Sequence, residues 1–367
     1  MMKKQNTIYL GIGIVVIILI AAIAIFSTPK SEETTSKVGA IMGFTGAGSF
    51  YSKDVKQGMD LALEEINKEG ESFEIIYEDS KTDAKEAVTA YNKLKNINNV
   101  DAMISLFSVT SVPLVPLANE DKMPLIVSIT SAEDIGKNPY VLQYYLKAED
   151  YAYPIAESVI KEGFDKVAIM HSQEDFGKSV SDKFTEKFNS LGGKVVIVEP
   201  FNMYETDYNT QLLKIKESGA QAIIFAGFKP HYVNALKQLT EMNIKLPFFE
   251  MSPNTMYPAI LKETGKSSEN VTAVSLDFPI TKNSVFTKKY KEKYGKEPSV
   301  AASLGYDMVK LISKAKEKNT SDNLVDQIIS LKQYNGLNGL VEISNEGECN
   351  FPLNIVRVID GKIEKIQ

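Results

Sequence analysis

Cysteine, tryptophan, histidine and arginine are scarce in this chain of 367 residues. It holds one Cys, no Trp and two His, and Arg357 is the single arginine among 41 Lys and Arg residues. One cysteine, Cys349, forms no intrachain disulfide and provides no Cys-based zinc site. It also lies far from the N-terminus, where a lipid-bearing cysteine would stand. With one arginine, the sequence argues against a ligand site built on a bidentate guanidinium clamp.

Positive charge is outweighed by negative charge. The formal net charge is −6, although the first 30 residues carry three lysines and no acidic residue. The remaining chain is therefore more acidic still, which argues against a nucleic-acid partner. Hydrophobic residues make up 44% and charged residues 24% of the chain, as in ordinary globular proteins, and the length favours about two domains.

One long apolar run interrupts this ordinary composition. Residues 8–26 carry no charge, follow Lys3 and Lys4, and would span about 28 Å as a helix. We interpret residues 1–30 as a signal anchor or a signal peptide, and residues 31–36 as a polar tether. Cleavage near Ala24 fits a small-x-small site, but the apolar run continues past it and favours an uncleaved anchor. Either way, the remaining chain is expected to be extracytoplasmic, and an uncleaved helix would anchor it to the cell membrane.

Strand-like and helix-like stretches alternate after residue 37. Apolar runs near residues 38–44, 73–77, 100–106 and 125–128 are separated by helical periodicity, and a second round starts after residue 146. This alternation predicts an α/β protein with two doubly wound, Rossmann-like lobes. The last third has too few strands for a third domain and is expected to complete the two lobes. In it, residues 340–343 and 353–359 are predicted to pair as terminal strands.

No catalytic or metal-binding motif is present. The nucleophile elbow, the phosphate-binding loop and the zinc-protease motif are all missing. His171 and His231 are conceivable general bases, but neither has a matching nucleophile, and a surface or supporting role is more typical. Glu174 and Asp175 form an acidic pair without the spacing of a hard-cation loop. We therefore expect no enzyme activity, no metal and no cofactor.

Hydroxyl side chains follow two predicted strands at the places where ligands bind in open α/β sheets. Residues 106–111 include Ser108 ahead of a helix, and residues 128–131 include Thr130 and Ser131. Hydroxyls and helix-start N–H groups suit an anionic group such as a carboxylate; alternatively, Ser108 is only a helix cap. A third loop, residues 45–51, contains glycines and Tyr51. Either its aromatic side chain covers a ligand, or the loop is a plain turn.

Several stretches resemble the extracytoplasmic solute-binding proteins of the branched-chain amino-acid ABC-transporter class, which have the type I periplasmic binding fold. They include VGAIMGFTGAGSFYSKDVKQGMDLALEEIN, MPLIVSITSAEDI and KVAIMHSQEDFGKSV, and with others they extend over most of residues 37–360. The resemblance implies two lobes joined by three hinge crossings. The first lobe would comprise residues 37–147 plus 277–332, and the second residues 148–276 plus 333–367.

The same resemblance implies a ligand site between the lobes. Ser108, with Thr130 or Ser131, would hold a ligand carboxylate. Tyr51 from the first lobe and Phe228 from the second would cover the apolar part of the ligand.

The sequence departs from the family pattern at two positions. Phe107 stands where a small residue is usual, and it would narrow the pocket. Ser252 stands where an acidic residue usually holds the ligand ammonium, so Glu250 or Asp150 are the candidate substitutes. Without such a substitute, the ligand would be a different small amide, carboxylate or aromatic compound.

The function implied is a membrane-tethered solute receptor that delivers a small molecule to an ABC-transporter permease. One alternative is a sensing domain of the same fold with no transport role. Another is an α/β enzyme, because a fold does not fix a function. Chemical turnover of a bound ligand would favour the enzyme, and recovery of the ligand unchanged would favour the receptor.

Overall fold

The computed structural model describes residues 35–70, 73–132, 135–278, 284–318 and 321–366. Within these ranges no helix is both long enough and apolar enough to cross a membrane. The predicted anchor at residues 8–26 lies outside the described residues. All of the architecture below belongs to the compact unit that starts at Ser36.

The described residues of this unit form fifteen strands, and most of the strands from β1 to β10 alternate with helices, which confirms the predicted α/β alternation. In chain order the strands are β1 (Ser36–Met42), β2 (Phe73–Asp79), β3 (Ala102–Leu106), β4 (Leu125–Ser128), β5 (Val141–Gln143), β6 (Lys166–Ser172), β7 (Lys194–Phe201), β8 (Ala222–Ala226), β9 (Phe248–Glu250), β10 (Thr272–Leu276), β11 (Gln333–Gly336), β12 (Gly339–Ile343), β13 (Cys349–Asn350), β14 (Leu353–Ile359) and β15 (Lys362–Lys365).

The helices between the strands are amphipathic. In the helix Ser49–Lys68, for example, Val55, Met59, Ala62 and Ile66 recur at helical spacing and are all buried. The α-helices of the described chain are Ser49–Lys68, Ala84–Lys93, Ser108–Ser111, Val115–Asp121, Ala148–Lys161, Asp175–Ser190, Asn209–Glu217, Lys229–Glu241, Pro258–Thr264, Ser284–Tyr294, Val300–Lys318 and Leu324–Ser330.

Two large sheets organise the fold. The first has the order β2-β1-β3-β4-β5 and is wholly parallel. The second has the order β15-β14-β10-β9-β8-β6-β7, and only β14 and β15 run antiparallel to their neighbours. Strand order reverses between β1 and β3 in the first sheet and between β6 and β8 in the second. Such reversal points leave a crevice at the carboxyl ends of the strands, where ligands bind in open α/β sheets.

The chain passes between the two sheets three times. It leaves the first sheet after β5, returns after β10 as helices that pack against a helix beside that sheet, and enters the second sheet again at β14. Between the last two passages, the helix Val300–Lys318 packs along the helix Ser49–Lys68. These helices approach so closely that a methyl group on Gly58 or Gly305 would overlap a backbone carbonyl of the opposite helix. We call the parts built on the five-stranded and seven-stranded sheets the first and second lobe; the residue bounds predicted for them above stay a prediction.

The predicted pairing of the terminal strands is wrong. Strand β12, which contains residues 340–343, pairs with β11 and β13 in a separate three-stranded sheet. Strand β14 instead pairs with β10 in the second sheet and with β15. The error has a physical reason, because β14 pairs with residues far earlier in the chain, from Thr272 opposite Arg357 to Leu276 opposite Leu353. Local periodicity does not encode such a distant partner.

Candidate functional site

A small cavity lies where the reversal points of the two sheets face each other. Its volume is about 20 Å³, which is room for about one water molecule. Residues from both lobes line it: Tyr51, Ser108, Val109, Ile129, Tyr145, Glu174, Phe176, Gly227, Phe228 and Pro253. Three predicted site residues, Tyr51, Ser108 and Phe228, are therefore brought together at this cavity.

The hydroxyl groups on the first lobe form one buried cluster. Ser108 Oγ lies 2.9 Å from Thr130 Oγ1 and accepts a hydrogen bond of 3.2 Å from the backbone N–H of Ser131. The Ser131 hydroxyl itself donates to the carbonyl of Leu146. If Thr130 donates to Ser108, the Ser108 hydroxyl proton is left for an acceptor in the cavity, and both lone pairs of its oxygen are used.

The backbone at this cluster is strained. Phe107, just before Ser108, has φ 70° and ψ 143°, and Ile129, just before Thr130, has φ 50°. Positive φ is costly for bulky and β-branched residues, and such strain concentrates at ligand sites that the surrounding fold holds in place. Phe107 directly follows β3 and Ile129 directly follows β4. Their backbone conformations bring the hydroxyl groups of Ser108 and Thr130 close to each other.

Tyr51 joins the two lobes directly. Its phenolic oxygen accepts a hydrogen bond of 2.8 Å from the backbone N–H of Lys229 and donates one of 2.5 Å to Asn254 Oδ1. Tyr51 belongs to the first lobe, and both partners belong to the second. Burial raises the pKa of Tyr51 well above its usual value, so the hydroxyl keeps the proton that it donates. We call these two hydrogen bonds the interlobe latch.

Aromatic rings surround the latch. The ring centroids of Tyr51, Phe107 and Phe228 lie 5.8 to 6.2 Å from one another, in edge-to-face or tilted arrangements. Phe176 lies 6.4 Å from Phe228 on the second lobe. Phe107 packs against both Tyr51 and Phe228, and that it narrows the ligand pocket stays a prediction. The aromatic cluster offers apolar walls to a ligand.

The structure gives Glu250 and Ser252 a role within the second lobe. The buried carboxylate of Glu250 accepts hydrogen bonds from the Ser252 hydroxyl, from the backbone N–H groups of Asn254 and Thr255, and from the Thr255 hydroxyl. Burial raises its pKa to about 7. With four donors from its own loop, Glu250 holds Asn254 in place for the interlobe latch. The carboxylate of Asp150 likewise accepts from the backbone N–H of Lys147 at the start of a helix.

The two histidines contact backbone groups of the protein. His231 is buried, and its ring nitrogens lie 2.8 Å from the carbonyl of Met203 and 3.2 Å from the backbone N–H of Phe228. Burial lowers its pKa, which keeps the ring neutral. His171 Nδ1 lies 2.7 Å from the carbonyl of Ser172. In the part of the chain that the structure describes, no group of three or more His, Cys, Asp or Glu residues is arranged to hold a metal ion.

Sequence reasoning missed the contribution of the loop after β6. Glu174 lines the cavity from this loop and Phe176 from the first turn of the helix that follows it, and Tyr145 lines it from the segment after β5. Glu174 and Phe176 could have been found by the rule that pointed to Ser108, namely that ligands bind beyond the carboxyl ends of strands at a reversal point. Strand β6 borders the reversal point of the second sheet.

Comparison with known proteins agrees with this geometry. The family model of the periplasmic binding proteins matches residues 35–362. A Leu-, Ile-, Val-, Thr- and Ala-binding protein of Pseudomonas aeruginosa is 25% identical over 311 residues, which cover 81% of this chain and 82% of the relative.

Two solved structures share the fold. A leucine-binding protein of Thermotoga maritima superposes with a TM-score of 0.83 at 23% identity, covering 91% of this chain and 98% of the other. An ABC-transporter solute-binding protein of Rhodopseudomonas palustris, in complex with 3,4-dihydroxybenzoic acid, superposes with a TM-score of 0.80 at 22% identity, covering 90% and 96%.

The family match extends over nearly all of the described chain and includes both large sheets. It agrees with an extracytoplasmic position for the folded part. The chain belongs to the periplasmic binding protein family, and it is a solute-binding protein rather than an enzyme.

Proposed function

We propose that this protein captures a small solute with a carboxylate group, of the amino-acid class, and presents it to an ABC-transporter permease. The observation that carries the proposal is the hydroxyl cluster at the cavity. Ser108 there accepts a hydrogen bond from the backbone N–H of Ser131 and lies 2.9 Å from Thr130 Oγ1, so with Thr130 as the donor its own proton is left for a ligand acceptor. The P. aeruginosa relative named for amino-acid binding supports the ligand class, and the R. palustris protein with a bound aromatic acid supports the carboxylate.

Tyr51, Phe107 and Phe228 would contact the apolar part of the ligand, and Thr130 and Ser131 would orient Ser108. The cavity between the lobes, at about 20 Å³, is smaller than any amino acid. A ligand would therefore enter while the lobes stand further apart, and closure would follow from contacts with both lobes at once. Only contacts that differ between the open and closed forms shift the equilibrium between them.

The N-terminal segment would keep the receptor near its permease. Residues 8–26 are uncharged and long enough to cross a bilayer as a helix, and residues 31–36 would serve as the tether. The mass of the mature protein isolated from whole cells, including the medium, tests this part of the proposal. A full-length mass is expected, whereas a mass that starts after Ala24 would show a cleaved signal peptide.

The ligand site itself is tested by Ser108→Ala with Ser111→Ala as its matched control. Both hydroxyls are buried on the same helical segment, but Ser111 donates to Ser105 inside the first lobe. Loss of a hydrogen bond to a buried carboxylate is expected to weaken binding by about 1–3 kcal/mol.

The measurement is calorimetric titration with the tightest-binding member of a panel of amino acids, benzoate and 3,4-dihydroxybenzoate, chosen by thermal shift. Ser111→Ala should bind like the wild type. Equal affinity of Ser108→Ala and the wild type would contradict the carboxylate assignment.

A further inference from the structure

A buried carboxylate lies where the chain crosses between the lobes. Asp307 belongs to the helix Val300–Lys318, which packs on the first lobe, and it is only 1% exposed. It is not among the residues that line the ligand cavity. A charged group buried to this degree is costly unless hydrogen-bond donors surround it. The segments that supply those donors therefore indicate what the carboxylate does.

Donors from two separate segments of the chain reach this carboxylate. The backbone N–H of Leu337 donates to both carboxylate oxygens, at 3.0 and 2.9 Å, and Asn338 Nδ2 donates to Oδ2 at 3.2 Å. The hydroxyl of Tyr144 donates a longer hydrogen bond of 3.4 Å to the same Oδ2 atom. Hydrogen bonds to a charged acceptor are roughly twice as strong as those between neutral groups. Asp307 therefore binds both Tyr144 and the turn at residues 337–338 to one helix.

Both segments lead into passages between the lobes. Tyr144 is the first residue after β5, where the chain starts its first crossing to the second lobe. Leu337 and Asn338 form the turn between β11 and β12, in the stretch that leads to the third crossing and β14. Tyr144 also packs against Phe351, on the third crossing itself, with ring centroids 5.1 Å apart. One carboxylate thus connects two of the three crossings to the first lobe.

The turn fits closely against the carboxylate. Gly336 precedes Leu337, and a methyl group on Gly336 would lie 2.5 Å from Asp307 Oδ2. Asn338 is fully buried, and its Oδ1 atom accepts a hydrogen bond of 3.2 Å from the hydroxyl of Ser303, one helical turn before Asp307. One face of the helix therefore holds both ends of the Asn338 amide, and the turn has no room to shift along it.

We propose that Asp307 is the positioning residue of the hinge, which holds the first and third crossings against the first lobe so that the two lobes move along one path. Hinge motion is absorbed by a few residues of the connecting segments, so the chain beside those residues has to stay fixed. If it were loose, the lobes would sample more relative orientations, and ordering them on closure would cost conformational entropy. This inference goes beyond the proposed function, because it holds for any ligand and any partner.

The test compares variants of the ligand-free, full-length protein. Asp307→Asn keeps the side-chain shape but removes the charge and one acceptor oxygen. Asn338→Ala is the second variant; it keeps the carboxylate, removes one of its donors, and carries the test where Asp307→Asn does not fold. The matched control is Asp54→Asn, because Asp54 is a buried carboxylate of the first lobe whose donors, Lys296 and Ser299, lie outside the first and third crossings.

Two measurements separate a role in the hinge from a role in the turn alone. Pulsed electron resonance between spin labels on Ile97→Cys in the first lobe and Leu213→Cys in the second, both exposed positions, gives the distribution of interlobe distances. Hydrogen–deuterium exchange of residues 334–340 reports how firmly the turn is held. Loss of a charge-assisted hydrogen bond should speed this exchange roughly ten- to hundredfold in Asp307→Asn. Both are measured at pH 8, because burial raises the pKa of Asp307 to about 7 and the carboxylate is mostly ionised there.

The expected result is a broader distance distribution together with faster exchange in Asp307→Asn, and a smaller change of the same kind in Asn338→Ala. Asp54→Asn should show neither. Faster exchange with an unchanged distance distribution in both variants would overturn the proposal, because the carboxylate would then stabilise only the turn. Equal broadening in Asp54→Asn would overturn it as well, because the effect would not depend on the crossings. Since no ligand is used, these outcomes leave the proposed function untouched.

Discussion

Removing the Tyr51 hydroxyl tests the interlobe latch with minimal change elsewhere. Tyr51→Phe keeps the ring in its aromatic cluster but deletes the two hydrogen bonds to Lys229 and Asn254. Each hydrogen bond contributes about 0.5–1.5 kcal/mol net, so the closed form should lose about 1–3 kcal/mol relative to the open form. A protein that is roughly nine-tenths closed would then fall to between about six-tenths and a few per cent closed.

The distance between the lobes is the quantity to measure. Spin labels on Ile97→Cys in the first lobe and Leu213→Cys in the second occupy exposed positions, and the native Cys349 is buried and so protected from labelling. Pulsed electron resonance on the ligand-free protein should show a larger open population in Tyr51→Phe. The control is Tyr91→Phe, which removes a hydrogen bond to Asp121 inside the first lobe.

Identical distance distributions in Tyr51→Phe and the unsubstituted labelled protein would refute the latch. An equal shift in Tyr91→Phe would refute it as well, because that hydroxyl touches only its own lobe.

Two further predictions concern stability. Gly305→Ala places a methyl group against the carbonyl of Val55 in the facing helix, so the free energy of unfolding, measured by urea titration, should fall by about 1–3 kcal/mol. The control, Lys314→Ala on the exposed side of the same helix, should change this free energy little. Equal stabilities of Gly305→Ala and the wild type would contradict the close helix contact. The pKa of Glu250 is raised to about 7, so its protonated form favours folding below its unfolded value of about 4.5, and this contribution is lost as the pH rises through 7. The lowered pKa of His231 makes stability rise with pH instead, but it does so in the wild type and in Glu250→Gln alike, and therefore cancels in their difference. The free energy of unfolding of the wild type minus that of Glu250→Gln should fall by about 2 kcal/mol between pH 5 and pH 8. A difference that stays constant with pH would show that burial does not raise the pKa of Glu250.

The sequence predicted the architecture well because its main signals are local. Strands β4 and β14 have the predicted bounds, since short apolar runs define them without reference to distant residues. The pairing of β14 with β10 was not predictable in the same way, because it depends on contacts between residues far apart in the chain.

The site was predictable where it follows from the ends of strands. Ser108 and Phe228 are the second residues after the ends of β3 and β8, and both line the cavity. The surroundings of Glu250 were not predictable, because its four donors come from the path of the loop that follows it. Likewise, the sequence shows that Glu174 follows a strand, but only the folded structure shows that its Oε2 atom is buried with no hydrogen-bond donor among the described residues.

The most direct test of the central claim is calorimetric titration of the full-length protein with the panel of amino acids and small carboxylates, followed by mass analysis of the recovered ligand. The account predicts saturable binding of one ligand per chain by at least one amino acid, and a recovered ligand of unchanged mass. Absence of binding across the panel, or chemical conversion of the bound compound, would contradict it.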